Sequence, residues 1–169
     1  MIYGELTTIR PVQPVDGPAI LRWENNPAFW SLTAFPGPFQ LNDILDFIRN
    51  SRNLKEDGQV RWTICAKDSL HLLGALDLFV SPKGSNILGI GILIGDETER
   101  GKGYASDALR ATLDYLASTM EIVQVECLIF PDNIPSIRLF ERQGFKKEGV
   151  ESFNNRTALR YRKNLSRIS

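Results

Sequence analysis

From Ile87 to Ile94 the chain is an unbroken apolar stretch, Ile-Leu-Gly-Ile-Gly-Ile-Leu-Ile; the polar loop Gly95-Asp96-Glu97-Thr98-Glu99 follows, then Arg100-Gly101-Lys102-Gly103, then a segment with helical periodicity. In that last segment, Tyr104 to Met120, the apolar residues Ala105, Ala108, Leu109, Leu113, Leu116, Ala117 and Met120 share one face, while Ser106, Asp107, Arg110 and Asp114 share the other. A buried strand feeding an amphipathic helix is satisfied most simply by a layered fold in which the helix packs back on a sheet. Glycines at such a junction let a ligand approach the backbone, and the first-turn N–H groups, with the helix dipole, attract anionic oxygen. The segment therefore predicts a phosphate-bearing ligand at the helix start, where Arg100 and Lys102 add positive charge.

The other elements fit the same architecture. Leu6 to Val12 reads as a first strand, followed by a turn at Pro14 to Pro18 and a helix through Ile20, Leu21 and Trp23. A loop rich in aromatics and prolines spans Asn26 to Phe39, and Leu41, Ile44, Leu45 and Ile48 predict a second helix running to about Asn53. Val60 to Ala66, Leu70 to Phe79 and Ile87 to Ile94 read as strands whose short connections favour an antiparallel meander. Ile122 to Phe130 predicts a buried strand, Pro135 to Gln143 a short helix ended by Gly144, and Phe145 to Val150 and Ala158 to Leu165 closing strands. The fold class is α/β or α+β: a central mixed, mostly antiparallel sheet of about six to seven strands with helices on both faces.

With 169 residues and no linker, repeat or low-complexity tract, one domain over residues 1–169 is the simplest division. Lys plus Arg and Asp plus Glu each number 20, and this balance argues against nucleic acid or anionic membrane as partners. The Ile87 to Gly95 run is far short of the roughly 20 residues needed to span a bilayer. Met1 to Glu5 lacks the basic and apolar regions of a secretory signal, so a cytoplasmic location is expected, with Cys65 and Cys127 as reduced core thiols. No metal-ligand pattern stands out, and His71, the one histidine, reads as a surface residue.

Two phosphate motifs can be set aside. Five residues separate Gly95 from Gly101 and Gly103 follows Lys102, which excludes a Walker A loop; Ser106 stands where the Rossmann pattern requires its third glycine. Arg100-Gly101-Lys102-Gly103-Tyr104-Ala105 instead matches the Gln/Arg-x-x-Gly-x-Gly/Ala signature of the GNAT superfamily of acyl-coenzyme A N-acyltransferases. A second motif agrees: Glu126-Cys127, then Asn133-Ile134-Pro135-Ser136 at a helix start and Gly144-Phe145 at its end. The chain resembles, over nearly its whole length, the RimJ/RimL-like branch that acetylates ribosomal-protein N-termini, polyamines and amino sugars.

The resemblance implies acetyl-CoA as co-substrate, with no metal, and a small-molecule or peptide amine as acetyl acceptor. It implies that the backbone amides of Arg100, Gly101, Lys102, Gly103, Tyr104, Ala105 and Ser106 cradle the pyrophosphate. Ile92, Leu93 and Ile94 would pair with the pantetheine arm as an added strand, and Asn133, Ser136, Phe140 and Arg142 would complete the cofactor contacts. It leaves a homodimer open. An alkylamine with pKa near 10.4 must lose a proton before it attacks a thioester. The candidate groups are the carboxylates Glu126 and Asp77, with Glu24 beside them, and Ser136 acting through water. Many relatives have a tyrosine acid four residues after the helix serine, but this chain has Phe140 there. That departure motivates an alternative reading, a non-catalytic acyl-CoA sensor of the same fold. Trp23, Trp30, Trp62, Phe29, Phe35 and Phe39 are open both to core packing and to walling the amine site.

Overall fold

The computed structural model describes residues 1–30, 37–81, 86–121 and 124–166. Its centre is one eight-stranded sheet made of β1 (Ile2–Tyr3), β2 (Thr7–Pro11), β3 (Gln59–Ala66), β4 (Leu72–Val80), β5 (Ile87–Ile94), β6 (Gln124–Ile129), β7 (Lys146–Phe153) and β8 (Arg156–Asn164). The strands lie in the order β1-β2-β3-β4-β5-β6-β8-β7. Every neighbouring pair is antiparallel except β5 and β6, which run parallel because a helix carries the chain across between them. The extra strand relative to the sequence expectation is β1, whose two residues pair with Ile9 and Thr8 and form too short a run to show a period. The closing strands are longer than expected because Asn154 and Asn155, with φ of 48° and 59°, form a tight two-residue hairpin turn.

Six helices flank the sheet among the described residues: α1 (Gly17–Glu24), α2 (Pro27–Trp30), α3 (Leu41–Arg49), α4 (Leu54–Asp57), α5 (Tyr104–Thr119) and α6 (Ile134–Arg142). The second predicted helix stops at Arg49 rather than Asn53, since Asn53 instead caps α4 by accepting from the Lys55 N–H. The expected loop from Asn26 contains α2, and residues 31–36, Phe35 among them, lie outside the described set.

Two apolar layers result. On one face Ile20, Trp23, Phe29, Ile44 and Ile48 of α1, α2 and α3 pack with Val12 and Leu93. On the other, Leu109, Leu113 and Leu116 of α5 and Phe140 of α6 pack with Ile64, Leu76, Leu88, Ile90 and Val125 from the sheet. Leu109 and Leu116 are completely buried, and each such side chain contributes about 1.5–3 kcal/mol. Strand alternation splits the tryptophans between the layers: Trp62 faces α5 and meets Tyr115 edge-on at 6.0 Å, whereas its neighbour Arg61 faces α1. No described helix is long and apolar enough to cross a membrane.

Candidate active site

The loop before α5 is built to present backbone donors. Gly101 and Gly103 have φ of 75° and 89°, left-handed values that glycine adopts without steric cost. Gly103 is the N-cap of α5, so no side chain satisfies the first amides of the helix. The Arg100 N–H is committed to the Glu97 carbonyl. The N–H groups of Gly101, Lys102, Gly103, Tyr104, Ala105 and Ser106 find no acceptor among the described residues. Among the described residues, a side-chain carbon at Gly101 would meet nothing within 4 Å. This concave row suits a pyrophosphate.

The positive charge expected from Arg100 and Lys102 is used differently. Lys102 Nζ pairs with Glu99 at 3.0 Å. Arg100 turns back into the fold: its Nε donates to the Ile94 carbonyl at 3.2 Å and its guanidinium stacks 4.5 Å over the Phe29 ring. Attraction for an anion at this loop comes from amide dipoles and the α5 terminus, with the half-exposed Lys102 next to them, while Arg100 ties the loop to α2.

A second opening adjoins the first. Among the described residues β5 and β6 pair at Ile87–Gln124, Leu88–Val125 and Gly89–Glu126, after which they part. From Ile90 to Ile94 the edge of β5 facing β6 has no ladder partner among the described residues, although its other edge pairs with β4 as far as Ile94–Gly74. An unpaired strand edge accepts an extended, amide-bearing chain as an added strand; of the expected residues, Ile92 and Ile94 turn their backbone groups to it, while those of Leu93 point to β4.

Charged side chains gather on the α1 face of the sheet beside this split. Arg61 holds Asp77 by two contacts of 2.7 Å, Nε to Oδ1 and Nη2 to Oδ2, and holds Glu24 through Nη1 at 2.9 Å. Burial opposes the charge on Arg61, but Asp77 and Glu24 outweigh it and raise its pKa above the ordinary arginine value. Asp77 is 34% exposed at the side chain. Glu126, at the last β5–β6 pair, is more enclosed, accepting from Ser81 Oγ at 2.6 Å and from Arg162 Nε at 2.8 Å. Neither Arg61 nor Arg162 stood out in the sequence, because their partners lie 16 and 36 residues away with no local spacing to signal the contact.

The remaining expected residues sort into different roles. Asn133 caps α6 by accepting from the Ser136 N–H at 3.3 Å, so these two form one local unit. Ser106 Oγ accepts from Gln143 Nε2 at 2.9 Å and so joins the start of α5 to the end of α6. Tyr104 and Ala105 pack their side chains toward the core and leave only backbone to a ligand. Arg142 is exposed in the last turn of α6. Phe140 is 2% exposed and meets Phe145 edge-on at 5.0 Å, so its ring belongs to the core and has no proton to give. His71 is exposed and both cysteines are buried. Burial, and next to it the charge of Glu126, raises the Cys127 pKa and keeps the thiol protonated.

Comparison with known proteins bears on this arrangement. The sequence model of the acetyltransferase (GNAT) domain matches residues 7–146, from β2 through α6 and its cap. The chain belongs to the GNAT acetyltransferase family. This GNAT chain is 26% identical over 153 residues to the uncharacterized N-acetyltransferase p20 of Bacillus licheniformis, covering 88% of this chain and 84% of that one. Its fold matches that of RimL, a ribosomal-protein α-N-acetyltransferase in complex with coenzyme A, with a TM-score of 0.82 at 18% identity over 95% of both chains. It also matches spermidine N-acetyltransferase from Vibrio cholerae in complex with coenzyme A and spermine, with a TM-score of 0.80, 22% identity and coverage of 96% and 97%. The GNAT chain is thus an acetyl-CoA-dependent acyltransferase, and its open amide row and free strand edge fit the phosphate and amide-bearing parts of that co-substrate.

Proposed function

We propose that the chain, as a single domain over residues 1–169, transfers an acetyl group from acetyl-CoA to the primary amine of a small molecule or a peptide N-terminus by direct attack in a ternary complex. The observation that carries this reading is the adjacency of the six free amides at Gly101–Ser106 to the unpaired β5 edge at Ile90–Ile94. The thioester supplies the activated acyl group. The β5 edge orients it, and the half-buried Asp77 carboxylate, opposite Gly91 in the β4–β5 ladder, takes up the proton of the amine through water. The nitrogen forms the amide bond as the carbon–sulfur bond breaks, and the leaving thiolate takes its proton from water, or from Ser136 through water. Glu126, enclosed by Ser81 and Arg162, serves to hold the split end of the sheet in shape.

The structural neighbours' own acetyl acceptors, the α-nitrogen of a ribosomal protein and spermidine, support an amine acceptor without choosing between a small molecule and a peptide. The second reading, a non-catalytic acyl-CoA sensor, draws on Phe140. A screen for coenzyme A release with acetyl-CoA and polyamines, amino sugars, aminoglycosides and N-terminal peptides tests both. Release dependent on one of these amines supports transfer, while binding of acetyl-CoA with no release across the panel supports the sensor.

A further inference from the structure

Gly89, Gly91 and Gly95 look alike in sequence, but their surroundings differ. A side-chain carbon at Gly89 would lie 1.9 Å from the Phe79 ring, and one at Gly95 would lie 2.1 Å from the Trp23 indole. Packing requires glycine at both. Among the described residues, a carbon at Gly91 would meet no atom within 4 Å, and Gly91 is not among the glycines with positive φ. Neither crowding nor backbone conformation accounts for it, although a glycine inside a strand is less stable than alanine. Such a glycine often marks a place where a ligand approaches the backbone closely.

The position of Gly91 says which ligand. It lies two residues beyond Gly89, the last β5 residue paired with β6, so the space above it opens onto the split. It sits directly opposite Asp77 in the β4–β5 ladder, and the Arg61, Asp77 and Gly91 positions form one row across the sheet. With no side chain at Gly91, open space lies next to the Asp77–Arg61 pair on the α1 face of the sheet.

We propose that Gly91 is a specificity-determining residue: the gap over it admits the primary amine of the acetyl acceptor to the β5 edge beside Asp77. This rests on the acetyltransferase reading above. Branched side chains at this position close the gap without reaching the amide row at Gly101–Ser106.

Calorimetry with two probes tests the proposal: coenzyme A itself, and coenzyme A whose sulfur is joined through a CH2–CO link to n-butylamine. The unmodified protein is expected to bind the adduct at least tenfold more tightly than coenzyme A. In Gly91→Val that gain, taken relative to the same variant's own affinity for coenzyme A, should fall below twofold, with Gly91→Ala intermediate. Gly91→Ala should melt no lower than the unmodified protein. A gain that survives in Gly91→Val, no gain in the unmodified protein, or a lowered melting temperature in Gly91→Ala would each overturn the assignment. Failure of the unmodified protein to bind coenzyme A at all would bring down the acetyltransferase reading, and this proposal with it.

Discussion

Thr7 and Asp107 stand 100 residues apart in the chain and are joined by two hydrogen bonds, from Thr7 Oγ1 to Asp107 Oδ2 at 2.7 Å and from the Thr7 N–H to the same oxygen at 3.0 Å. The carboxylate also accepts from the N–H groups of Glu5 and Leu6 and from Arg110 Nη2. Because Asp107 lies in the first turn of α5, it pins the β1–β2 connection to the helix whose start carries the open amides. The fit is close enough that a side-chain carbon at Gly4 would come within 2.1 Å of Asp107 Oδ2.

Asp107→Ala should therefore lower stability by about 3 kcal/mol, since it strands the two buried donors of Thr7 and the part-buried amides of Glu5 and Leu6 at once. Urea unfolding checks this, and a loss under about 1 kcal/mol would contradict it. Burial alone would raise the Asp107 pKa, but the bonds from Thr7, Glu5, Leu6 and Arg110 prevail and hold it below the ordinary carboxylate value. A depressed folded pKa contributes stability that is fully present above the unfolded value of about 3.9 and is lost as pH falls toward the lower folded value. The stability gap between the unmodified protein and Asp107→Asn should accordingly narrow below about pH 4.

Acetyl-CoA should raise the melting temperature, by the equivalent of about 2.7 kcal/mol at a hundredfold excess over Kd. Gly103→Val should abolish that rise, because the branched side chain crowds the amide row. At φ 89° it also strains the backbone, so a lower melting temperature without ligand is expected, unlike a change in open space alone. Unchanged acetyl-CoA affinity in the variant, by calorimetry, would remove the loop from the site.

Asp77→Asn and Glu126→Gln should separate chemistry from scaffolding. The first should lower kcat/KM for the amine at least tenfold, about 1.4 kcal/mol, with acetyl-CoA affinity within twofold. The second leaves Arg162 with Glu148 at 3.3 Å and weakens the Ser81 contact, so it should act mainly on stability, by about 1–2 kcal/mol. The reverse pattern would move the proton-handling role to Glu126.

The core position of Phe140 gives the fourth prediction. With no tyrosine acid to lose at high pH, the rate should rise with deprotonation of the amine to a plateau, without an alkaline fall. A bell-shaped profile would point to another acid, with Ser136 and Tyr104 the first to be replaced. Phe140→Tyr should keep acetyl-CoA affinity within about threefold while its hydroxyl, set at a 2% exposed position against Phe145, costs about 1–2 kcal/mol unless it finds a partner.

The sequence by itself determined the layered class, most strands and the α5 junction, because hydrophobic period and glycine placement are local properties that survive without tertiary information. It also marked the amide row, since the Arg100 to Ala105 spacing is contiguous. Only the tertiary structure decided that Arg100 turns its charge into the protein, that Trp62 and Trp23 face opposite layers, and that Asp107 clamps the N-terminal hairpin rather than facing solvent. It alone distinguished Gly91 from Gly89 and Gly95, because whether a missing side chain leaves a gap or fills a contact depends on Phe79 and Trp23, which reach those glycines from another strand and another helix. Such contacts join residues far apart in the chain, and no local pattern encodes them.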